Sequence, residues 1–205
     1  MARYVGNNYR NYYYGTTNAD QIYGLGGNDV LYGWSGSDLI DGGTGADYLS
    51  GESGNDQLFG RDGNDQLVGG LGNDTLNGSF GRDTLKGGDG RDFLVGGDGD
   101  DHIWGGTGTD RFIFRVDNSS NAGFDVIHDF SEASEYINLG AVGSFNELDT
   151  NGDGNLTSLD DWVQQSGRET VIDVGAAFGY FAGSEVLTVY NDTTSPLDSN
   201  DFLFS

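Results

Sequence analysis

Eleven aspartates, Asp20, Asp29, Asp38, Asp47, Asp56, Asp65, Asp74, Asp83, Asp92, Asp101 and Asp110, stand nine residues apart with no insertion or deletion between them. Carboxylates on such a grid are candidate ligands, and their surroundings decide for what. Each lies five residues after a glycine, at 15, 24, 33 and onward to 105, so turn-forming backbone with accessible carbonyls accompanies every carboxylate. Cysteine is absent, which excludes disulfides and thiolate metal sites. A donor set of carboxylate and carbonyl oxygens is hard and suits Ca²⁺ rather than zinc or copper. The alternative is that the aspartates only close Asx-turns.

The elements that must position these carboxylates follow from the same period. Two residues after each Asp comes an apolar side chain: Ile22, Leu31, Ile40, Leu49, Leu58, Leu67, Leu76, Leu85, Leu94, Ile103 and Phe112. The unit reads G-G-x-G-x-D-x-U-x, as in Gly69 to Asn77. Its first six positions are turn-like, and its last three suit a short strand with the central residue facing inward. Two units make a coil of eighteen residues with one strand on each side, so odd units stack on one side and even units on the other. Stacking builds a thin Leu/Ile core but also two rows of mutually repelling carboxylates. A cation bound only in the folded state offsets that repulsion.

The nonapeptide resembles the calcium-binding repeats of RTX (repeats-in-toxin) proteins. This resemblance implies an all-β fold: a parallel β-roll over residues 15–113, with each calcium between units n and n+2, held by both Asp carboxylates and by glycine-turn carbonyls. Eleven units contain nine such pairs, so about nine roll calciums are expected. The first unit has Asn18 where a fixed glycine belongs, which marks its site as the weakest.

Thirty-three acidic residues against nine basic ones give a formal charge of −24, which disfavours nucleic acid as a partner. The patterned carboxylates point to ligation, with an expanded chain before metal binding and a compact one after. Residues 1–14 lack the apolar core of a signal peptide, and no segment is long and apolar enough for a membrane span. The resemblance implies export by a type I secretion machinery under an uncleaved C-terminal signal, and Asp201-Phe202-Leu203-Phe204-Ser205 is similar to such signals. The expected location is therefore extracellular or at the cell surface.

Three regions make up the chain. Residues 1–14, rich in Tyr and Asn, read either as a coil or edge strand over the first rung, or as an arm for self-association. The roll follows, and residues 114–205 read as a small antiparallel β cap with strands near 171–174, 185–189 and the C-terminus. Phe124 to Phe130 with Glu135 to Leu139 resembles the D-x-I-x-D-F…D-x-I-D-L segment that follows the roll in RTX exoproteins. Glu135 and Asn138 replace its usual acidic pair, whereas Asp125 and Asp129 remain able to serve.

Residues 149–160 form an EF-hand-like loop. Asp149, Asn151 and Asp153 supply oxygens at positions 1, 3 and 5, Gly154 the sharp turn, Asn155 a carbonyl and Asp160 the last ligand. One further Ca²⁺ is expected there. Brief helix signals flank it at 144–148 and 159–164, which suits a structural site rather than a moving sensor.

Catalytic signals are missing. No H-E-x-x-H, nucleophile elbow or P-loop lysine occurs, and the repeat accounts for the paired carboxylates. The two histidines, His102 and His128, read as surface residues beside strands, and neither outward face carries a repeated Thr row. Only fourteen residues precede the grid, leaving no room there for a catalytic domain. The first expectation is a non-enzymatic extracellular protein of a matrix, surface layer or self-assembling array, associating through the roll ends or the N-terminal segment. A second is an accessory module for an anionic, alginate-like polysaccharide, with Arg61, Arg82, Lys86, Arg91 and Arg111 as a basic strip. A third is the secretion and folding domain of a larger exoenzyme.

Overall fold

Three-residue x-U-x segments flanked by glycines cannot form a helix, and each is extended in the computed structural model. That structure describes residues 1–114 and 123–130, and beyond them only the strands at 136–138, 155–156, 163–166, 169–173, 185–191, 197–198 and 202–203. No helix occurs among the described residues.

Two sheets of stacked parallel strands face each other. The first runs Arg3–Asn7, Gln21–Leu25, Leu39–Thr44, Gln57–Asp62, Thr75–Phe80, Phe93–Asp98, Arg111–Ile113, Tyr136–Asn138 and Phe202–Leu203. The second starts at Tyr12–Tyr14 and continues through Val30–Ser35, Tyr48–Ser53, Gln66–Leu71, Thr84–Gly90, His102–Gly108 and Gly123–Phe130. Register advances by eighteen residues per rung through the repeats, as in Leu58↔Leu76 and Leu67↔Leu85. Every U side chain from Ile22 to Phe112 is therefore stacked on its own kind and fully buried. Phe114, Ile127, Phe130, Ile137, Leu187 and Val189 prolong the same core, and Tyr4 and Tyr13 pack against its N-terminal end.

Most strands span six residues rather than three, because pairing runs on past the first glycine into the turn, as at Arg61↔Ser79 and Asp62↔Phe80. Two turn positions need left-handed backbone. The fourth residue of the unit has φ between 96° and 146° and is glycine in every case from Gly27 to Gly108. A Cβ on Gly90 would stand 2.7 Å from the carbonyl carbon of Gly72 one coil away, so no side chain fits. The second position is less severe. Leu25, Trp34, Glu52, Arg61 and Ser79 occupy it at φ 72–84°, within reach of an L-residue at modest cost.

The stack is wider than the 15–113 span expected from the grid. Residues 3–14 form a full preceding coil, with Tyr4 over Ile22 and Tyr13 over Leu31. Beyond 113, Gly123–Phe130 and Tyr136–Asn138 pair parallel with the last repeat strands. The C-terminal strands do not make a separate antiparallel unit throughout. Val163–Ser166, Glu169–Asp173 and Glu185–Asn191 pair antiparallel in turn. Glu185–Asn191 also pairs parallel with Gly123–Phe130, and the terminal Phe202–Leu203 pairs parallel with Tyr136–Asn138. Val163 and Gln164, at the end of an expected helix signal, lie in a strand.

Candidate metal centre

Each grid aspartate divides its two oxygens between two tasks. Oδ1 accepts a hydrogen bond from the backbone N–H of the aspartate one coil earlier. Asp20 N–H donates to Asp38 at 2.7 Å, Asp47 N–H to Asp65 at 2.8 Å and Asp92 N–H to Asp110 at 2.9 Å. The bond recurs without a gap, so the carboxylates are aligned by the backbone they pack on. Oδ2 is buried and has no hydrogen-bond partner at Asp29, Asp38, Asp47, Asp56, Asp65, Asp74, Asp83, Asp92 and Asp101. A buried, unsatisfied carboxylate oxygen is costly, and a whole series of them calls for a common ligand.

The glycine at the first position of the unit shows which other oxygens lie close to Oδ2. A Cβ on Gly87 would run into Asp92 Oδ2 and stand 2.6 Å from the Gly105 carbonyl oxygen in the next coil. Asp29 with Gly42, Asp74 with Gly87 and Asp83 with Gly96 converge in the same way on Gly24, Gly69 and Gly78. Absence of a side chain there lets a carboxylate oxygen and a backbone carbonyl of the next coil approach the same glycine. Both are hard oxygen donors, and the carboxylate oxygen has no hydrogen-bond partner, which fits Ca²⁺ and does not fit a soft metal.

The electrostatics follow. Burial, partly opposed by the backbone hydrogen bond and reinforced in most cases by neighbouring carboxylates, pushes Asp56, Asp65, Asp92 and Asp101 up to about 7. Burial likewise pushes Asp47 and Asp83 up to about 6, and raises Asp29, Asp38 and Asp74. Without a cation, Asp56, Asp65, Asp92 and Asp101 would hold protons near neutrality. With one, they are ligands.

The two ends of the column differ. Asp20 is buried, which works against ionisation. Hydrogen bonds from Ala2 N–H at 2.5 Å, Thr16 N–H at 2.7 Å and Thr16 Oγ1 at 2.8 Å outweigh this and hold its carboxyl below the usual range. On the opposite side, one coil before Asp29, Asn11 stands nine residues before Asp20 and five after Gly6, so the grid contains one more, carboxylate-free unit. Asn11 Oδ1 accepts from Tyr4 Oη at 2.8 Å and Asn7 N–H at 3.1 Å, and its amide donates to Tyr9 O. At the other end Asp125 takes the grid place six residues late, accepting from Asp101 N–H at 2.9 Å. Asp129 caps the last described turn of that side, accepting from Gly105 N–H at 2.8 Å and Gly106 N–H at 3.0 Å. The signal for Asn11 was its spacing from Gly6, and for Asp125 the D-x-U triplet Asp125-Val126-Ile127.

Of the EF-hand-like loop, Asp149, Asn151, Asp153 and Asp160 lie outside the described residues. Asn155 forms, with Leu156, a short strand antiparallel to Leu197–Asp198. The five basic residues do not make one strip. Arg61 lies on the first sheet bonded to Asp41 at 2.8 Å, and Arg111 sits over Phe93 on that sheet three coils on. Lys86 lies on the second sheet over Trp104, while Arg82 and Arg91 occupy turns, Arg82 bonded to Asp100 at 2.5 Å.

A profile of the RTX calcium-binding nonapeptide repeat (4 copies) matches residues 5–40, 41–76 and 77–112, more than half of the chain. The chain belongs to the RTX repeat family. The first match begins at residue 5 and so takes in the Gly6–Asn11 unit. No curated protein sequence matches the chain. A similar solved structure is that of the AlgE6R3 subunit from the Azotobacter vinelandii mannuronan C5-epimerase, determined in solution. It is 23% identical with a TM-score of 0.30, over 98% of this chain and 81% of that one. RTX repeats bind calcium, and the buried Oδ2 series is where this RTX chain has the donors for it. No helix among the described residues is long and apolar enough to cross a membrane.

Proposed function

We propose that this RTX protein is a secreted, non-catalytic structural protein that folds on meeting extracellular calcium and then assembles with other copies outside the cell. The observation that carries the proposal is the unbroken column of buried carboxylate oxygens without partners. Such a column is tolerable only when cations fill it, and millimolar calcium is found outside cells rather than in the cytosol. Calcium then acts as a folding ligand, converting a chain of formal charge −24 into a stacked roll. Export in the unfolded state is compatible with the same dependence, and the type I route is the reading that the RTX repeats support.

Assembly is supported by the open N-terminal rung. Among the described residues, Arg3–Asn7 and Tyr12–Tyr14 each have a strand neighbour on one side only, leaving backbone donors and acceptors for another strand. Residues 1–18 carry Arg3 and Arg10 and no acid, against an acidic excess elsewhere. A head-to-tail contact would therefore join opposite charges. Light scattering across a calcium titration tests this: particle mass should rise once the circular dichroism signal of the roll is complete. A holo protein that stays monomeric at every concentration rules out the assembly role.

A second reading, carbohydrate binding, is favoured by a cleft of about 430 Å³ lined by Tyr14, Tyr32, Trp34 and Glu52. Aromatic rings beside a carboxylate suit neutral, hydroxyl-rich sugars better than a polyuronate. Calorimetry with cellohexaose, mannohexaose and an alginate hexamer separates these, and Trp34→Ala should abolish any neutral-sugar binding.

A further inference from the structure

The second sheet carries a feature with no part in the calcium column. His102 and His128, twenty-six residues apart, point outward from neighbouring strands, and register pairs His102 with Val126, so the two histidines are diagonal neighbours. Their ring nitrogens, His102 Nδ1 and His128 Nε2, are 2.8 Å apart. Trp104 lies flat on His128, with ring centroids 4.0 Å apart and planes within 6°. Lys86 closes the other face of Trp104, its Nζ 5.2 Å from the ring centroid. The His128 ring is thus held from one side, and both imidazoles remain only partly buried.

We propose that His102 Nδ1 and His128 Nε2 form a binding site for one late first-row divalent cation, Cu²⁺ or Ni²⁺ ahead of Zn²⁺, with water completing its coordination. Imidazole nitrogens are preferred ligands for these ions and poor ones for calcium, so the site stays distinct from the Asp column at the same rung. Metal–nitrogen bonds of about 2.0–2.1 Å place two nitrogens about 2.9 Å apart at a right angle and about 3.4 Å apart at a tetrahedral one. The observed 2.8 Å, an N–H···N contact between the rings, lies nearer the spacing of a right angle, the geometry of Cu²⁺ and Ni²⁺, so these ions need the smaller rearrangement of the pair. Zinc needs the pair to open by roughly half an ångström. A metal takes the place of the proton between the two rings, and each imidazole turns so that both lone pairs meet the ion. Burial and the neighbouring His102 hold His128 below the usual imidazole range, with Asp129 opposing them in part, so His128 is biased towards the neutral form that ligates a metal.

The stacked indole supplies the readout. Cu²⁺ or Ni²⁺ bound to His128 quenches Trp104, one of three tryptophans in the chain, whereas Zn²⁺ does not. The calcium-saturated full chain is titrated with CuCl₂, NiCl₂ or ZnCl₂ in a non-chelating buffer, followed by tryptophan emission and calorimetry. One equivalent of Cu²⁺ or Ni²⁺ should bind with loss of the Trp104 emission. His102→Gln or His128→Gln should each weaken binding by about tenfold or more. Trp104→Phe should keep the binding heat and lose the quench, and calcium-dependent circular dichroism should show that all three variants fold. Absence of a one-equivalent binding heat, or equal affinity in the two histidine variants and the parent, overturns the site and leaves the pair as a hydrogen bond only. Either result is independent of whether the protein assembles.

Discussion

The first coil and the coils above it share one backbone path but are closed by different chemistry. In the middle of the roll, each Asp Oδ2 is buried against a glycine of the turn and has no hydrogen-bond partner. In the first coil, Asn11 fills the Asp place and is satisfied by Tyr4, Asn7 and Tyr9, while Asp20 on the opposite side is satisfied by Ala2 and Thr16. The turn geometry therefore does not itself require a metal. The requirement comes from placing an ionisable acceptor where the protein offers it no proton, and an amide with a Tyr hydroxyl removes it. The first coil reads as a metal-free lid for a metal-filled column.

Calcium removal should break this contrast most completely. With a chelator in excess the middle coils lose their ligands at once, and the first coil, whose neighbour is one of them, is lost with them. Far-UV circular dichroism should fall to that of an unfolded chain and return with millimolar calcium; retained β signal would contradict the central role of the Oδ2 column.

Acid should partly replace the metal. Asp47, Asp56, Asp65, Asp83, Asp92 and Asp101 have folded-state values of about 6 to 7 without metal, above an unfolded value near 4. A raised carboxyl value stabilises the fold fully below the unfolded value and ceases to do so as pH rises through the folded one. Chelated protein should therefore be least folded above about pH 7 and gain β signal towards pH 4, whereas calcium-loaded protein should lose affinity over the same fall. Asp20 runs the other way, its lowered value contributing stability that is lost only in stronger acid.

Single substitutions sharpen the comparison. Asp65→Ala should lower the calcium stoichiometry and cost about 2.7 kcal/mol at a calcium concentration a hundredfold above the site Kd, seen as a higher midpoint in calcium-induced folding. Asp20→Ala, which removes only hydrogen bonds, should leave the stoichiometry unchanged. Asn11→Ala is the smallest: about 1 kcal/mol, confined to faster amide exchange over residues 3–14 with calcium binding intact.

The same contrast explains what could be read from the sequence. The grid gave the parallel stack, the alternation of sides and the buried U column from Ile22 to Phe112, because a strict period leaves few ways to fold. Residues 1–14 were legible as a coil or edge strand over the first rung, but not as a further repeat unit, because Tyr4 and Tyr13 stand where Ile or Leu marks a unit, and Asn11 where Asp does. The continuation past 113 escaped because a six-residue shift before Asp125 breaks the count, although the structure restores the register at His102↔Val126. The His102–His128 pair was hidden by the same shift. The basic strip failed for another reason: residues close in sequence alternate between two sheets and two rows of turns, so proximity along this chain does not mean a shared surface.

Parity is a further property of the eighteen-residue coil. Because each coil contacts only its neighbours, adding or deleting a whole coil leaves every remaining contact of the same type, and length is set by the gene rather than by the fold. Losing nine residues is different: all strands downstream would migrate to the opposite wall, carrying their outward side chains with them. The core would hardly register the change, yet the two outer surfaces would exchange identities from that point on.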